Sequence, residues 1–184
     1  SKLRVFDILG QDDAGAWLTH NFPDLFYIRA TGVYGGWAPS DSWIDLNVQN
    51  HGPLGAEYPD RSWATEGDTP AFLSLILNGL NEPEHPEWGG WGGRYELYKP
   101  DFSKTKEGGS DVEIAPETRK IWTNAYDSYT PYIHKEYGRT VGKDTITFNG
   151  FKVTLWRWRD EFQNDFAARM DWCIKPYEEA NHPP

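Results

Sequence analysis

The chain has 184 residues and a formal net charge of −10, from 28 acidic and 18 basic residues. This length suits one domain with its own hydrophobic core. The acidic balance and the lack of a basic run argue against binding to nucleic-acid phosphates, and no apolar run is long enough to span a membrane. The single cysteine, Cys173, excludes an internal disulfide.

Aromatic residues are frequent for so hydrophilic a chain. There are 10 Trp, 10 Tyr and 9 Phe, while the mean hydropathy is −0.73. Many of these rings stand beside glycine, proline, asparagine or charged residues. Tryptophan among polar neighbours is typical of a surface that stacks on sugar rings or bases. The alternative for most of them is a partly buried ring that bridges the core and its rim.

The first thirty residues predict a βαβ unit. Residues 3–9 and 25–28 have strand patterns, and a turn and a short helix separate them, so the two strands should lie parallel in one sheet. Ligands bind beyond the carboxyl ends of such strands. Gln11 and Asp12 follow the first strand and Trp37 follows the second, so these three are candidate ligand-binding residues. The alternative role for Asp12 is a helix cap.

Two helices are predicted in the next forty residues. The first covers residues 40–50 and is capped by Ser40 or Asp41. The second begins at Pro70, which fits a first helical turn, and Thr69 or Asp68 can cap it. It is apolar nearly all round, so it should be buried; its apolar residues are Phe72, Leu73, Leu75, Ile76, Leu77 and Leu80.

Two carboxylates, Glu66 and Asp68, stand at the start of this second helix. The positive end of a helix stabilises negative charge, and a divalent cation can share carboxylate oxygens. The pair is therefore a candidate metal site. The alternative is an N-cap aspartate beside an exposed glutamate.

Residues 82–95 form a segment rich in glycine, proline and tryptophan. A connection of this length inside a compact domain is usually functional, and the density of rings predicts an ordered lid. Trp88 and Trp91 are candidates for stacking on a sugar or for closing a site against water; the alternative is that they pack an interdomain contact. His85 with the neighbouring glutamates suggests a metal cluster, but Pro83 and Pro86 prevent helical ligand spacing, so a solvated turn is favoured.

The last third predicts a helix, a hairpin and a second helix. The first helix starts at Pro116, with Ile121, Trp122, Ala125 and Tyr126 on one face. Residues 145–154 predict a β-hairpin with an Asn149–Gly150 turn. The final helix has an apolar stripe formed by Trp158, Phe162, Phe166, Met170 and Cys173. Asn164 lies off this stripe and points to either solvent or a cleft.

Several long motifs together resemble one family. These are QDD at 11–13, NFPDLFYI at 21–28, HGPLGA at 51–56, EGDTP at 66–70, PEHPEWGGWGGR at 83–94, and residues 156–172. In these motifs the chain resembles the cellulose-binding, nucleoside-hydrolase-like proteins of bacteria and fungi, over nearly its whole length.

The resemblance implies an α/β fold, with a mostly parallel Rossmann-like sheet flanked by helices, the tryptophan-rich loop and the hairpin. It implies that residues 1–184 are the C-terminal portion of one nucleoside-hydrolase-like domain. An N-terminal half with an Asp-rich motif and a C-terminal β-sandwich are then expected outside this chain. The N-terminal half, or a companion chain, is the expected partner. A secreted or periplasmic location is also implied.

The resemblance further implies hydrolysis of an N- or O-glycosidic bond with calcium as cofactor. Asp68 matches the late metal-ligating aspartate of nucleoside hydrolases, and the catalytic base is expected outside this chain. Gly67 stands where those enzymes commonly have histidine, which argues against a purine or pyrimidine leaving group and allows a different glycoside. Neither a nucleic acid nor a membrane is an expected partner.

The expected ligand is a carbohydrate or a nucleoside-like small molecule. The expected substrate-binding residues are Gln11, Asp12, Trp37, Glu66, Trp88, Trp91 and Asn164. The other hypothesis is a carbohydrate-binding protein with no catalytic activity on a hydrolase-like scaffold.

Overall fold

A four-stranded sheet organises the chain. The computed structural model describes residues 3–8, 17–18, 21–30, 39–61, 69–98, 120–130 and 147–180. Its strands are β1 (Arg4–Ile8), β2 (Phe26–Ala30), β3 (Tyr95–Leu97) and β4 (Trp122–Asn124), in the order β1-β2-β4-β3. β1, β2 and β4 run parallel, and β3 runs antiparallel to β4. The predicted parallel pairing of the first two strands is confirmed.

A two-stranded sheet and short helices complete the described fold. The small sheet pairs β5 (Asp127–Tyr129) with β6 (Phe148–Gly150). The helices are α1 (Asp41–Ile44), which continues as a π-helical turn (Asp45–Gln49), α2 (Gly52–Ala56), α3 (Thr69–Leu73), α4 (Val153–Trp156) and α5 (Arg159–Trp172). Single 3₁₀ turns cover Pro86–Trp88 and Tyr177–Glu179. No helix in these ranges has both the length and the apolar character needed to cross a bilayer.

The two longer helical predictions of the central and C-terminal regions are confirmed. The Ser40 side chain accepts a hydrogen bond from the Trp43 backbone N–H at 3.2 Å, as expected of the cap of α1. Along α5, Phe162 and Met170 are buried, while Phe166 is 38% exposed and Cys173 lies at the surface. Trp158 is partly buried and packs against the cluster that contains Phe162, so the predicted stripe contacts the core at three positions and reaches solvent at Phe166 and Cys173.

Three apolar clusters form the core. One lies on the sheet, around Ile8, Ile28, Ala30 and Tyr95. The second joins α3 to the C-terminal helices through Leu73, Trp91, Leu155 and Phe162. The third joins α1 to α5 through Ile44, Val48 and Met170.

The predicted buried helix after Pro70 is wrong in length and in burial. α3 ends at Leu73, and the next two backbone bonds, Leu75 N–H to Phe72 C=O and Ile76 N–H to Leu73 C=O, span only three residues. The chain then turns because the Asn78 side chain accepts the backbone N–H groups of Leu80 and Asn81. Leu73 is buried, but most of the apolar neighbours are exposed: Phe72, Leu75, Leu77 and Leu80.

The hairpin predicted over residues 145–154 is also wrong. Phe148–Gly150 pairs with Asp127–Tyr129, far away in sequence. The residues after it form a helical turn instead, in which Thr154 donates both its N–H and its hydroxyl to the Phe151 carbonyl. Local turn chemistry was outweighed by a long-range partner strand.

The helix predicted from Pro116 is wrong where the structure describes it. Residues 122–124 form β4, which pairs with β2 on one side and β3 on the other. Ile121 and Ala125, at its two ends, are buried. Pairing on both sides satisfies more backbone groups than a local helix, so the sheet overrides the helical spacing of the apolar residues.

Candidate functional site

The segment of residues 82–94, called here the Trp–Gly segment, is folded tightly. The His85 N–H donates to the Glu82 carbonyl at 2.9 Å and the Trp88 N–H donates to the His85 carbonyl at 3.0 Å. Between them Pro86 is buried and starts the 3₁₀ turn, where its fixed φ suits a turn. The prediction of an ordered segment therefore agrees with this hydrogen-bonded turn.

Trp88 lies at the surface with one ring face covered. Its indole is 66% exposed, and it stacks on the His85 imidazole with ring centroids 4.1 Å apart and an interplanar angle of 6°. The His85 Nδ1 lies 3.0 Å from a Glu87 carboxylate oxygen. This hydrogen bond holds the imidazole parallel to the indole. This hydrogen bond lowers the pKa of Glu87. His85, Glu87 and Trp88 are called here the Trp88 platform.

Glycines allow the Trp–Gly segment to pack closely against α3 and the residue that follows it. A side chain at Gly92 would meet Ser74 and the Pro70 carbonyl, and one at Gly90 would meet the Asn81 side chain. Gly90 and Gly92 are themselves buried. Only glycine allows this approach of two backbones, so the glycines hold the segment, and with it the Trp88 platform, in a fixed position.

Trp91 is placed differently from Trp88. It is 8% exposed and packs with Leu73, Leu155 and Phe162. A ring buried in the core cannot stack on a ligand from solvent, so the predicted stacking role does not suit Trp91. Its place in the sequence, between two pairs of glycines, gave no sign of this burial.

Asn81 ties the two neighbouring segments together. Its side-chain amide donates to the Leu73 carbonyl at 2.6 Å and to the Ile76 carbonyl at 2.8 Å. Its side-chain oxygen accepts the Trp91 backbone N–H at 2.9 Å. These three bonds satisfy backbone groups at the end of α3 and anchor the start of the glycine run.

Two cavities lie on either side of α3. The smaller, of about 140 Å³, lies between the sheet and the Trp–Gly segment, against Phe6, Phe26 and Pro86. The larger, of about 550 Å³, lies between α1, α3 and α5, and its lining includes Trp43, Phe72 and Phe166. The polar side chains of the larger cavity include Asp165 and Arg169, which form an ion pair at 2.7 Å. Both cavities are mainly apolar and have few groups to orient a polar ligand.

A largely buried polar cluster lies within the sheet, on β1 and β2. The Tyr27 hydroxyl donates to an Asp7 carboxylate oxygen at 2.9 Å, and the Arg29 Nε lies 3.6 Å from the same oxygen. Burial, together with this carboxylate, raises the pKa of Tyr27 to about 12. Sequence reasoning missed this cluster, although charged residues inside otherwise apolar strands are a signal for it.

Five of the predicted site residues lie outside the described part of the chain. They are Gln11, Asp12, Trp37, Glu66 and Asp68. Their roles, and calcium binding at Asp68, stay predictions. Asn164 is described and lies exposed on α5, outside the lining of both cavities. Within the described ranges, no three acidic, histidine or cysteine side chains are grouped closely enough to hold a metal ion.

Comparison with known proteins gives the family. A family model described as "Cellulose-binding Sde182, nucleoside hydrolase-like domain" matches residues 1–95. The chain belongs to this family. Among solved structures it is similar to a nucleoside hydrolase-related hypothetical protein from Saccharophagus degradans that is associated with carbohydrate metabolism. The identity is 42% and the TM-score is 0.67.

The two proteins differ in length. The match covers 98% of this chain and 38% of the Saccharophagus protein, so the nucleoside-hydrolase-like chain described here spans well under half of that relative. No curated protein matches. The structural similarity agrees with the mixed α/β architecture and its mainly parallel sheet.

Proposed function

We propose that this nucleoside-hydrolase-like domain binds glycan chains of plant polysaccharide, cellulose among them. The observation that carries the proposal is the Trp88 platform, where a flat indole is 66% exposed and backed by a parallel imidazole. Sugar rings bind on such surfaces because their apolar C–H faces pack on an aromatic face while their hydroxyls stay hydrated. The family description and the association of the Saccharophagus relative with carbohydrate metabolism support the same class of ligand.

The side chains of the Trp88 platform need little ordering when a ligand binds. The 3₁₀ turn, the buried Pro86 and the His85–Glu87 hydrogen bond already fix the ring. A side chain that is held in place before binding loses less entropy on complex formation. The exposed indole is therefore a preformed contact.

Depletion from solution by microcrystalline cellulose tests the proposal. We expect Trp88→Ala to weaken binding by about tenfold or more, which is typical of an aromatic residue that dominates an interface. Leu77→Ala is the matched control, because Leu77 is an even more exposed apolar residue, at 90%. Equal depletion of wild type and Trp88→Ala would exclude the platform as the binding surface.

Hydrolysis of a glycosidic bond is the second candidate function, and membership of a nucleoside-hydrolase-like family favours it. Asp68 would ligate calcium, and a bound calcium ion would supply charge stabilisation for sugar hydroxyls and water. Gln11, Asp12 and Glu66 would hydrogen-bond the sugar. In the complete protein, loss of both calcium binding and glycosidase activity in Asp68→Asn would support this function; unchanged calcium binding would exclude Asp68 as a ligand.

A location outside the cytoplasm goes with either function. Plant polysaccharide is too large to enter a cell intact, so we propose that the protein is secreted or periplasmic. Fractionation of the source cells checks this: recovery of the protein only from the cytoplasm would contradict it.

A further inference from the structure

Tyr126 carries a second exposed aromatic ring, and Arg94 connects its backbone to the residue that follows Trp88. A Cβ atom added at Gly89, the residue after Trp88, would lie 3.3 Å from the Arg94 Cβ and 3.5 Å from its Cγ. At its other end the Arg94 guanidinium donates from Nη2 to the Tyr126 carbonyl at 2.8 Å. Trp88 and Tyr126 are each 66% exposed. One arginine side chain therefore spans the distance from the backbone at Gly89 to the backbone at Tyr126.

The backbone fixes this arrangement. The Ala125 N–H donates to the Arg94 carbonyl at 3.0 Å, which extends the ladder between β3 and β4 by one step. Tyr126 and Asp127 follow the carboxyl end of β4 after Ala125, and β4 runs parallel to β1 and β2. In open α/β sheets this is the edge beyond which ligands bind. Tyr126 therefore stands at the edge where the fold itself favours a site.

Charged groups surround this position. An Asp127 carboxylate oxygen lies 3.5 Å from the Arg94 Nε and 3.6 Å from the Arg157 Nη1. All three side chains are about one-third exposed, at 29%, 32% and 34% respectively. Both are ion pairs whose separations are longer than a direct hydrogen bond. Sugar hydroxyls both donate and accept, and a carboxylate between two guanidinium groups serves both needs.

Arg157 is held by stacking as well as by charge. Its guanidinium lies 4.8 Å from the Tyr129 ring centroid and 5.4 Å from the Trp158 ring centroid. Cation–π contacts of this kind restrict a long side chain that would otherwise be mobile. The charged groups beside Tyr126 are therefore positioned by neighbours on β5 and by the residue before α5.

We propose that Tyr126, Arg94, Asp127 and Arg157 form a second sugar subsite beside the Trp88 platform. The ligand is then a chain of linked sugars that lies over both aromatic rings, with its hydroxyls on the charged groups between and beside them. This inference rests on the proposed function, because it takes the Trp88 platform as the first subsite. A single sugar or a disaccharide fills only part of such a surface, so affinity should grow with chain length.

Calorimetric titration with cello-oligosaccharides, from the disaccharide to the hexasaccharide, tests the second subsite. For wild type we expect the affinity to rise along the series. For Tyr126→Ala we expect about a tenfold loss with the hexasaccharide and little change with the disaccharide. Tyr177→Ala is the matched control, since Tyr177 is a tyrosine exposed to 75% on the C-terminal 3₁₀ turn; it should bind as wild type does.

Asp127→Asn gives a second variant that keeps the shape of the subsite. It retains oxygen and nitrogen atoms at the same place but removes the charge that the two arginines face, so it should flatten the rise of affinity with chain length. A circular dichroism spectrum like that of wild type shows that each variant is folded.

The outcomes separate the two proposals. If Tyr126→Ala and Asp127→Asn bind every oligosaccharide as wild type does while Trp88→Ala binds weakly, the second subsite is wrong and the Trp88 platform stands. In that case the charged cluster only ties the small sheet to β3. If Trp88→Ala also binds as wild type does, both proposals fail.

Discussion

Of two adjoining stretches of the chain, the stretch with more apolar residues has fewer buried residues. Residues 71–80 are mostly apolar, yet Phe72, Leu75, Leu77 and Leu80 are at least half exposed. Residues 82–94 are rich in glycine, proline and charge, yet Pro86 and residues 90–93 are buried. Close backbone packing and hydrogen bonds therefore decided which residues lie inside, and apolar content alone did not.

The junction between the two stretches explains the difference. The Asn81 side chain donates to two carbonyl groups of the first stretch and accepts one N–H of the second. These bonds lie at the end of α3 and at the start of the glycine run, where Leu73 and Ile76 of the apolar stretch share a cluster with Trp91. The glycines then allow the second stretch to lie directly on α3.

Removal of the Trp91 ring should have the largest effect on this arrangement. Trp91→Ala leaves a cavity between α3 and the C-terminal helices, and we expect a loss of about 3 to 5 kcal/mol in the free energy of unfolding. Urea denaturation measures this. Trp88→Ala, three residues away, should change stability by less than about 0.5 kcal/mol; similar losses for both variants would contradict the contrast between the two rings.

Truncation of Asn81 should have the next largest effect. Asn81→Ala removes three side-chain hydrogen bonds. Although the Leu73 carbonyl keeps the Ile76 N–H, the Ile76 carbonyl and the Trp91 N–H lose the Asn81 side chain, so we expect a loss of about 2 to 3 kcal/mol. Asn164→Ala is the matched control, because Asn164 is an exposed asparagine of α5. Urea denaturation again measures both. If the two variants are equally stable, Asn81 is not what joins the stretches.

Acid should act on the second stretch and not on the first. Residues 71–80 contain no titratable side chain, whereas the His85 hydrogen bond lowers the pKa of Glu87. A carboxyl whose pKa is lower when folded adds stability above its unfolded pKa, and this is lost as the pH falls through the folded pKa.

A titration of the Glu87 carboxyl carbon by NMR checks this prediction. We expect its midpoint below the usual range for glutamate, and we expect His85→Ala to return it to that range. An unchanged midpoint in His85→Ala would show that the imidazole does not set the Glu87 pKa.

Replacement of the most exposed apolar side chain should have the smallest effect. Leu77 is 90% exposed, so Leu77→Ser should change the free energy of unfolding by less than about 0.5 kcal/mol. Thermal unfolding followed by circular dichroism is sufficient. A loss above about 2 kcal/mol would mean that this leucine is covered in the folded protein, and the contrast in burial would not hold.

The sequence predicted the parallel strands, the cap at Ser40 and α5 because each depends on local pattern or on one short crossover. It failed for α3, where the Asn78 and Asn81 side chains bind the backbone just after the helix. It also failed for β4 and for the strand at Phe148, whose partner strands are distant in sequence. It singled out Trp88 as a candidate by its setting among glycine and proline, and this stays a prediction. It missed Arg94, Tyr126 and Asp127, since only the pairing of β3 with β4 brings them together.

The most direct test of carbohydrate binding at Trp88 follows the indole N–H signals by NMR during titration with cellohexaose. Each signal is assigned through a Trp→Phe variant. The account predicts that the Trp88 signal shifts progressively to saturation while the Trp91 signal, from the buried ring, stays in place. A Trp88 signal that does not move at ligand concentrations where other signals shift would contradict the account.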